Sequence, residues 1–100
     1  MRVIARRTWR RFWESAPQYA DAKGPLEAWY AEARKAQWRS PQDMKAQFRQ
    51  ASILNNNRVV FKIGGNKYRF IAAVDYQRQA LFIRLIGTHA QYDTIDAEVV

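Results

Sequence analysis

Apolar positions recur at two different periods along this chain, and the change falls at Asn55-Asn56-Asn57. Before those asparagines the spacing is helical. Trp9, Phe12, Trp13 and Ala16 fit one helix face, with Thr8 placed to cap the helix. Pro17 ends it, and Lys23-Gly24-Pro25 introduces a second helix. There Leu26, Trp29, Tyr30 and Ala33 fall at i, i+3, i+4 and i+7, while Glu27, Glu32 and Arg34 lie off the stripe. Ser40-Pro41-Gln42-Asp43 is a compact start signal: the serine caps, the proline takes the first turn, and the acid sits near the positive dipole end. Met44 and Phe48 give that third, short helix its buried edge. Ahead of all three, Arg2 to Ala5 is apolar at its centre and reads as a first strand.

After the asparagines the period is two. Arg58 to Ile63 runs into Gly64-Gly65, a two-residue hairpin signal. With those glycines as the loop, Lys62 faces Lys67, Phe61 faces Tyr68 and Val60 faces Arg69. A second turn near Tyr76 to Gln79 pairs Val74 with Leu81 and sets Arg84 opposite Ile71. One sheet face then carries Val59, Phe61, Tyr68, Phe70, Ala72, Val74, Leu81, Ile83 and Leu85. The other carries Lys62, Lys67, Arg69 and Arg84 among Val60, Ile71, Phe82 and Ile86. A one-residue slip would mix the two sets, so the clean separation supports this facing. The expected fold is α+β: one domain over residues 1–100, a mostly antiparallel sheet of about four strands, and N-terminal helices covering its apolar face.

Composition narrows the function classes. An apolar share of 48% with four Trp, five Tyr and five Phe supplies a core and argues against disorder. The absence of cysteine excludes disulfides, zinc ribbons and thiol nucleophiles. The first residues lack the apolar stretch of a signal peptide, and no run approaches the roughly 20 apolar residues that cross a bilayer. A cytoplasmic protein with no membrane role is expected. Seventeen Lys and Arg against nine Asp and Glu give +8, with eleven cations in residues 1–50 and six in 51–100. Such a surface favours a polyanion, bound in a salt-dependent way. The plainer alternative is a basic protein with no nucleic-acid role. Arg6, Arg7, Arg10 and Arg11 crowd the start of the first helix, where the dipole disfavours cations. They form either a solvated basic face or a surface kept positive for a partner.

The chemistry-bearing stretch is Thr88-His89-Ala90-Gln91-Tyr92-Asp93, which holds the only histidine. Gly87 permits a turn there, and Thr88 caps a final helix running from His89 through Asp93 to Glu98. His89 then stands at the edge of the cationic face, near Arg84 and Arg69, with Tyr92 one helical turn away. Cleaving RNA through its own 2′-hydroxyl requires proton transfer at that hydroxyl and at the leaving 5′-oxygen, and stabilisation of a charged phosphorane. An imidazole titrates in the useful range, and guanidiniums grip phosphate oxygens. One His, no Cys and scattered carboxylates offer no metal-ligand set, and Gly64-Gly65 lacks the following helix of a phosphate-binding loop. No cofactor is expected.

Four stretches carry a family resemblance: Pro25-Leu26-Glu27-Ala28-Trp29-Tyr30, Asn57-Arg58-Val59-Val60-Phe61, Ile63-Gly64-Gly65-Asn66-Lys67-Tyr68-Arg69, and Ile86-Gly87-Thr88-His89-Ala90-Gln91-Tyr92-Asp93. In order and at matching length, they resemble the HigB-type toxins of the RelE superfamily. The resemblance implies a metal-independent endoribonuclease, an mRNA interferase acting in many members on the translating ribosome. It also implies a helix-turn-helix antitoxin partner (HigA-like) and contact with operator DNA only through that complex. Arg84 and Arg69 match the strand arginines that meet the scissile phosphate, and His89 and Tyr92 match polar groups of the C-terminal segment. Lys67 and Lys62 fit substrate positioning, with Lys67 as a second charge stabiliser, and Arg58 is a further candidate RNA contact. Which residue is base and which acid stays open. Asp93 either orients His89 or caps and solvates the helix, and the second is expected. A non-catalytic RNA- or ribosome-binding module using the same face is the alternative function.

Overall fold

The change of hydrophobic period marks the seam between a helical layer and a sheet. The computed structural model describes all 100 residues, Met1–Val100. Strand β1 (Arg2–Ile4) leads into α1 (Arg7–Glu14), a 3-10 segment (Pro17–Ala22), α2 (Lys23–Ala33) and α3 (Pro41–Gln47). Strands β2 (Ser52–Ile53), β3 (Arg58–Ile63), β4 (Tyr68–Asp75) and β5 (Ala80–Thr88) follow, then the one-turn helix α4 (His89–Tyr92). The fold is α+β, with a five-stranded sheet in the order β1-β5-β4-β3-β2. No helix is long and apolar enough to cross a membrane.

Each helix buries the stripe its spacing requires. Trp9 of α1 is buried, as are Leu26, Trp29 and Ala33 of α2 and Met44 of α3. Ser40 caps α3, its hydroxyl accepting from the Asp43 amide at 3.3 Å. Thr8 does not cap α1. The chain turns from β1 straight into the helix, so Ala5 and Arg6 already supply its first carbonyl acceptors and Thr8 lies inside it.

The sheet departs from the expected register in two places. Ile63 pairs with Tyr68, Lys62 with Arg69 and Phe61 with Phe70, so Lys62 does not face Lys67 and the loop spans Gly64 to Lys67. This slip is two residues, which leaves every side chain on its expected face. It is favoured by packing: Phe61 stacks on Phe70 with centroids 4.9 Å apart. The longer loop is accommodated by left-handed φ at Gly64, Gly65 and Asn66 (63, 66 and 87°).

The second departure is a β-bulge. Val74 pairs with Leu81 as expected, and Ala72 with Ile83, but Ile71 then pairs with Leu85. Arg84 is the extra, unpaired residue rather than the partner of Ile71. Beyond it the faces of β5 exchange: Leu85 joins Val60 and Ile71, and Ile86 packs toward the main core. Two strand features were not read from the sequence. Strand β1 runs parallel to β5, and β2, only two residues long, adds an antiparallel edge to β3.

Trp29 joins the two layers. Its ring lies 5.6 Å from Trp9, 4.8 Å from Phe61 and 4.9 Å from Phe70, all in edge-on contact. Replacing a buried Trp with Ala typically costs about 3–5 kcal/mol. Trp29→Ala is therefore expected to lower unfolding free energy by that order in denaturant titration, with the sheet losing its helical cover. A loss near zero would place the core elsewhere.

Candidate active site at the C-terminal turn

The end of β5 delivers its side chains through a tightly specified turn. Thr88 and Gln91 form a reciprocal capping box: the Gln91 amide donates to Thr88 Oγ1 at 3.2 Å, and the Thr88 amide donates to Gln91 Oε1 at 2.8 Å. Gly87 serves this box, not a left-handed turn: a Cβ there would lie 2.8 Å from Gln91 Oε1. The helix is one turn long and ends at Tyr92, well short of Glu98.

That turn sets His89 Nδ1 3.1 Å from Asp93 Oδ2, with the two side chains 48% and 56% exposed. The pairing departs from the expectation that Asp93 only caps or solvates. The carboxylate lies on the Nδ1 side of the ring, and Nε2 is on the other side. Tyr92 turns the other way. Its ring lies 5.0 Å from the Arg69 guanidinium and packs beside Val60 and Ile71. Asn66 Oδ1 accepts from Arg69 Nε and Nη2 at 3.3 and 3.1 Å, which holds the guanidinium in place. Arg69 is flanked in the sheet by Lys62 on one side and Gly87 on the other. Thus Tyr92, Arg69 and Lys62 lie at one end of the sheet face, and the His89–Asp93 pair sits on the turn that leaves β5 two residues after Gly87, the strand partner of Arg69.

The remaining candidates lie apart. Arg84 sits at the bulge, three residues before Gly87, with its guanidinium 6.0 Å from the Phe82 ring. It shares a shallow cleft with Arg58, Phe82 and Tyr76 at the opposite end of the face. Arg58 donates to the carbonyls of Val100 (2.9 Å) and Asn56 (3.0 Å). Between the two groups the C-terminal segment itself covers the sheet: Ile95, Ala97 and Val100 pack on Val60, Ile71 and Leu85. Sequence reasoning missed this cover, because the segment's apolar residues carry no strand or long-helix period.

Lys67 leaves the face altogether. Its ammonium meets Asp21 of the 3-10 segment at 2.5 Å, and the same carboxylate accepts from the Tyr68 hydroxyl. Hydrogen bonds from Lys67 and Tyr68 hold the Asp21 carboxyl below its usual 3.8, and the bond to Asp21 raises Lys67 above 10.5.

Residues 22–95 match the HigB toxin family, the RelE-like toxic component of a toxin–antitoxin system. The chain belongs to this family. It is 30% identical over 86 residues to the mRNA interferase toxin HigB of Escherichia coli K12, covering 84% of this chain and 83% of that protein. Identity and coverage are the same for the mRNA interferase HigB of Shigella flexneri. Against the mRNA interferase HigB of Escherichia coli O6:H1, identity is 27% with 84% of each chain covered. The span matched by the HigB family contains both groups of cations and the whole turn from Thr88 to Asp93.

The Asp21 anchor has a signed pH dependence. A carboxyl lowered in the folded state adds stability that is full above its free value and is lost as pH falls through the folded one. The raised Lys67 adds stability that is present below 10.5 and lost as pH climbs through its folded value. Asp21→Asn is expected to melt below the parent at pH 7, with the gap closing in acid. Equal melting temperatures at pH 7 would show that the anchor contributes nothing.

Proposed function

We propose that this toxin is a metal-independent mRNA interferase whose reaction is centred on His89. The observation that carries the reading is His89 against Asp93 on the turn after β5, whose Tyr92 packs on an arginine held by Asn66, in a chain whose relatives are named mRNA interferases. In the proposed reaction the RNA 2′-oxygen attacks the adjacent phosphorus, the bond to the 5′-oxygen breaks, and the 5′-oxygen takes up a proton. His89, with Nδ1 engaged by Asp93, exchanges protons through Nε2. Arg69 stabilises the equatorial oxygens of the phosphorane. Tyr92 holds Arg69 in place and lies within the same cluster, so Tyr92 and Lys62 are the candidates for the second proton transfer.

Arg58 and Arg84 suit a different task. Their distance along the sheet from His89 fits a grip on phosphates flanking the scissile one, and Phe82 between them offers a ring on which a base can stack. Lys67 serves chiefly as the anchor to Asp21. The neutralising partner is proposed to be a small helix-turn-helix antitoxin (HigA-like), the target mRNA held on the ribosome, the setting cytoplasmic, and operator DNA contacted only through the complex.

Cleavage assays with purified ribosome-bound mRNA at varied substrate concentration test the assignment. His89→Ala is expected to lower the cleavage rate by about 10²–10⁴ and Arg69→Ala by about 10²–10³, with folding retained. Arg84→Ala should raise KM more than it lowers kcat, and Lys67→Ala should change neither much. Wild-type cleavage by His89→Ala would remove the histidine from the chemistry. Parent protein that shifts RNA without cutting it would leave a binding module.

A further inference from the structure

Four cations stand around a groove in the helical layer, and no carboxylate holds any of them. Arg6, Arg7 and Arg10 come from the start of α1 and Lys23 from the start of α2. The ion pairs of this molecule are Lys67–Asp21, Arg78–Asp75 and His89–Asp93, so none involves this group. Glu14 and Glu27 line the same groove, yet neither is within ion-pair reach of a cation. The first turn of α1 has no acidic residue and no side-chain cap. Cations therefore crowd the positive end of a dipole, an arrangement that an incoming carboxylate relieves.

The groove also has an aromatic lining. Trp13 and Tyr30 are half-buried along it, and the Arg6 guanidinium lies 4.1 Å from the centre of the Tyr30 ring. Trp9 lines it from below, 1% exposed, and its Nε1 has no acceptor. The groove is half open to solvent, with a volume of about 650 Å³.

We propose that this groove is the docking site for an acidic segment of the protein antitoxin, with an apolar side chain seated against Trp13 and Tyr30. The proposal rests on the toxin–antitoxin reading of the chain. Charge complementarity and the mixed lining choose the occupant. A phosphate chain threading the groove would meet Glu14 and Glu27 along its length. A peptide answers both signs, its acids facing the arginines and its amides or cations facing the glutamates. The groove lies in the helical layer, whereas the His89 cluster lies across the sheet on the opposite face. An antitoxin can thus grip the toxin here without contacting the RNA face, so holding and neutralising are tasks for different segments of the partner.

The test uses the full-length toxin and the purified antitoxin, identified as the neighbouring gene product that relieves growth arrest. Arg7→Glu/Arg10→Glu and Trp13→Ala are compared with the parent by calorimetry at two salt concentrations, with circular dichroism as a check on folding. The charge-reversed variant is expected to bind antitoxin about tenfold or more weakly, with a flatter salt dependence, while cleaving RNA at the parental rate. An acid-to-lysine change in the antitoxin should then restore its affinity. Parental affinity in both folded variants would overturn the proposal. So would loss of RNA affinity with antitoxin binding unchanged, which would make the groove an RNA surface. A parent toxin that fails to cut RNA but binds antitoxin through Arg7 and Arg10 would sink the interferase reading and leave this one standing.

Discussion

The stacking of Phe61 on Phe70 sets the register of the central hairpin, and that register decides which cations share a neighbourhood. Once Phe61 lies against Phe70, with Trp29 closing over both, Lys62 must stand beside Arg69 and Lys67 must fall in the loop. The loop residue is then free to reach Asp21 on the helical side, which ties the hairpin tip to the 3-10 segment. An apolar contact in the core thus distributes charge on the surface. Had the shorter loop formed, Lys62 and Lys67 would oppose one another on the sheet, a pairing with an electrostatic cost.

The bulge at Arg84 does comparable work on the other side of the sheet. It keeps Ile83 and Ile86 both on the core while turning Leu85 to the opposite face, where it joins Val60 and Ile71 under the C-terminal segment. That apolar patch gives Tyr92, Ile95 and Ala97 something to pack on, and so fixes the path of the chain after β5. The capping box and the close approach of Gln91 to Gly87 set the remaining geometry. The backbone position of His89 is therefore set by this turn, Asp93 lies 3.1 Å from its Nδ1, and its exposure leaves it accessible to a macromolecular substrate.

Much of this was legible in the sequence because it rests on periodicity. The stripe from Leu26 to Ala33, the Ser40 cap and the apolar alternation through Val59, Phe61, Phe70 and Ala72 state their structures in local terms. What was not legible depends on contacts between distant residues. Nothing near Gly64-Gly65 announces a four-residue loop, since its length is set by Phe61 meeting Phe70 and by Lys67 meeting Asp21. Nothing near Arg84 announces a bulge, because an arginine between Ile83 and Leu85 fits plain alternation equally well. The pairing of His89 with Asp93 did have a signal, the four-residue spacing that places two side chains on one helix face. The role of Asn66 in holding Arg69 had none, because Asn66 first reads as a turn residue.

The central claim is that this cluster directs the RNA 2′-hydroxyl onto its neighbouring phosphate, with protein side chains moving the protons. The termini of the cleaved RNA report that chemistry directly, since attack by the 2′-oxygen and attack by water leave different ends. Cleavage of a defined ribosome-bound mRNA, followed by mass spectrometry of the fragments, should yield a 2′,3′-cyclic phosphate on one fragment and a 5′-hydroxyl on the next. Fragments bearing a 3′-hydroxyl and a 5′-phosphate would contradict the account.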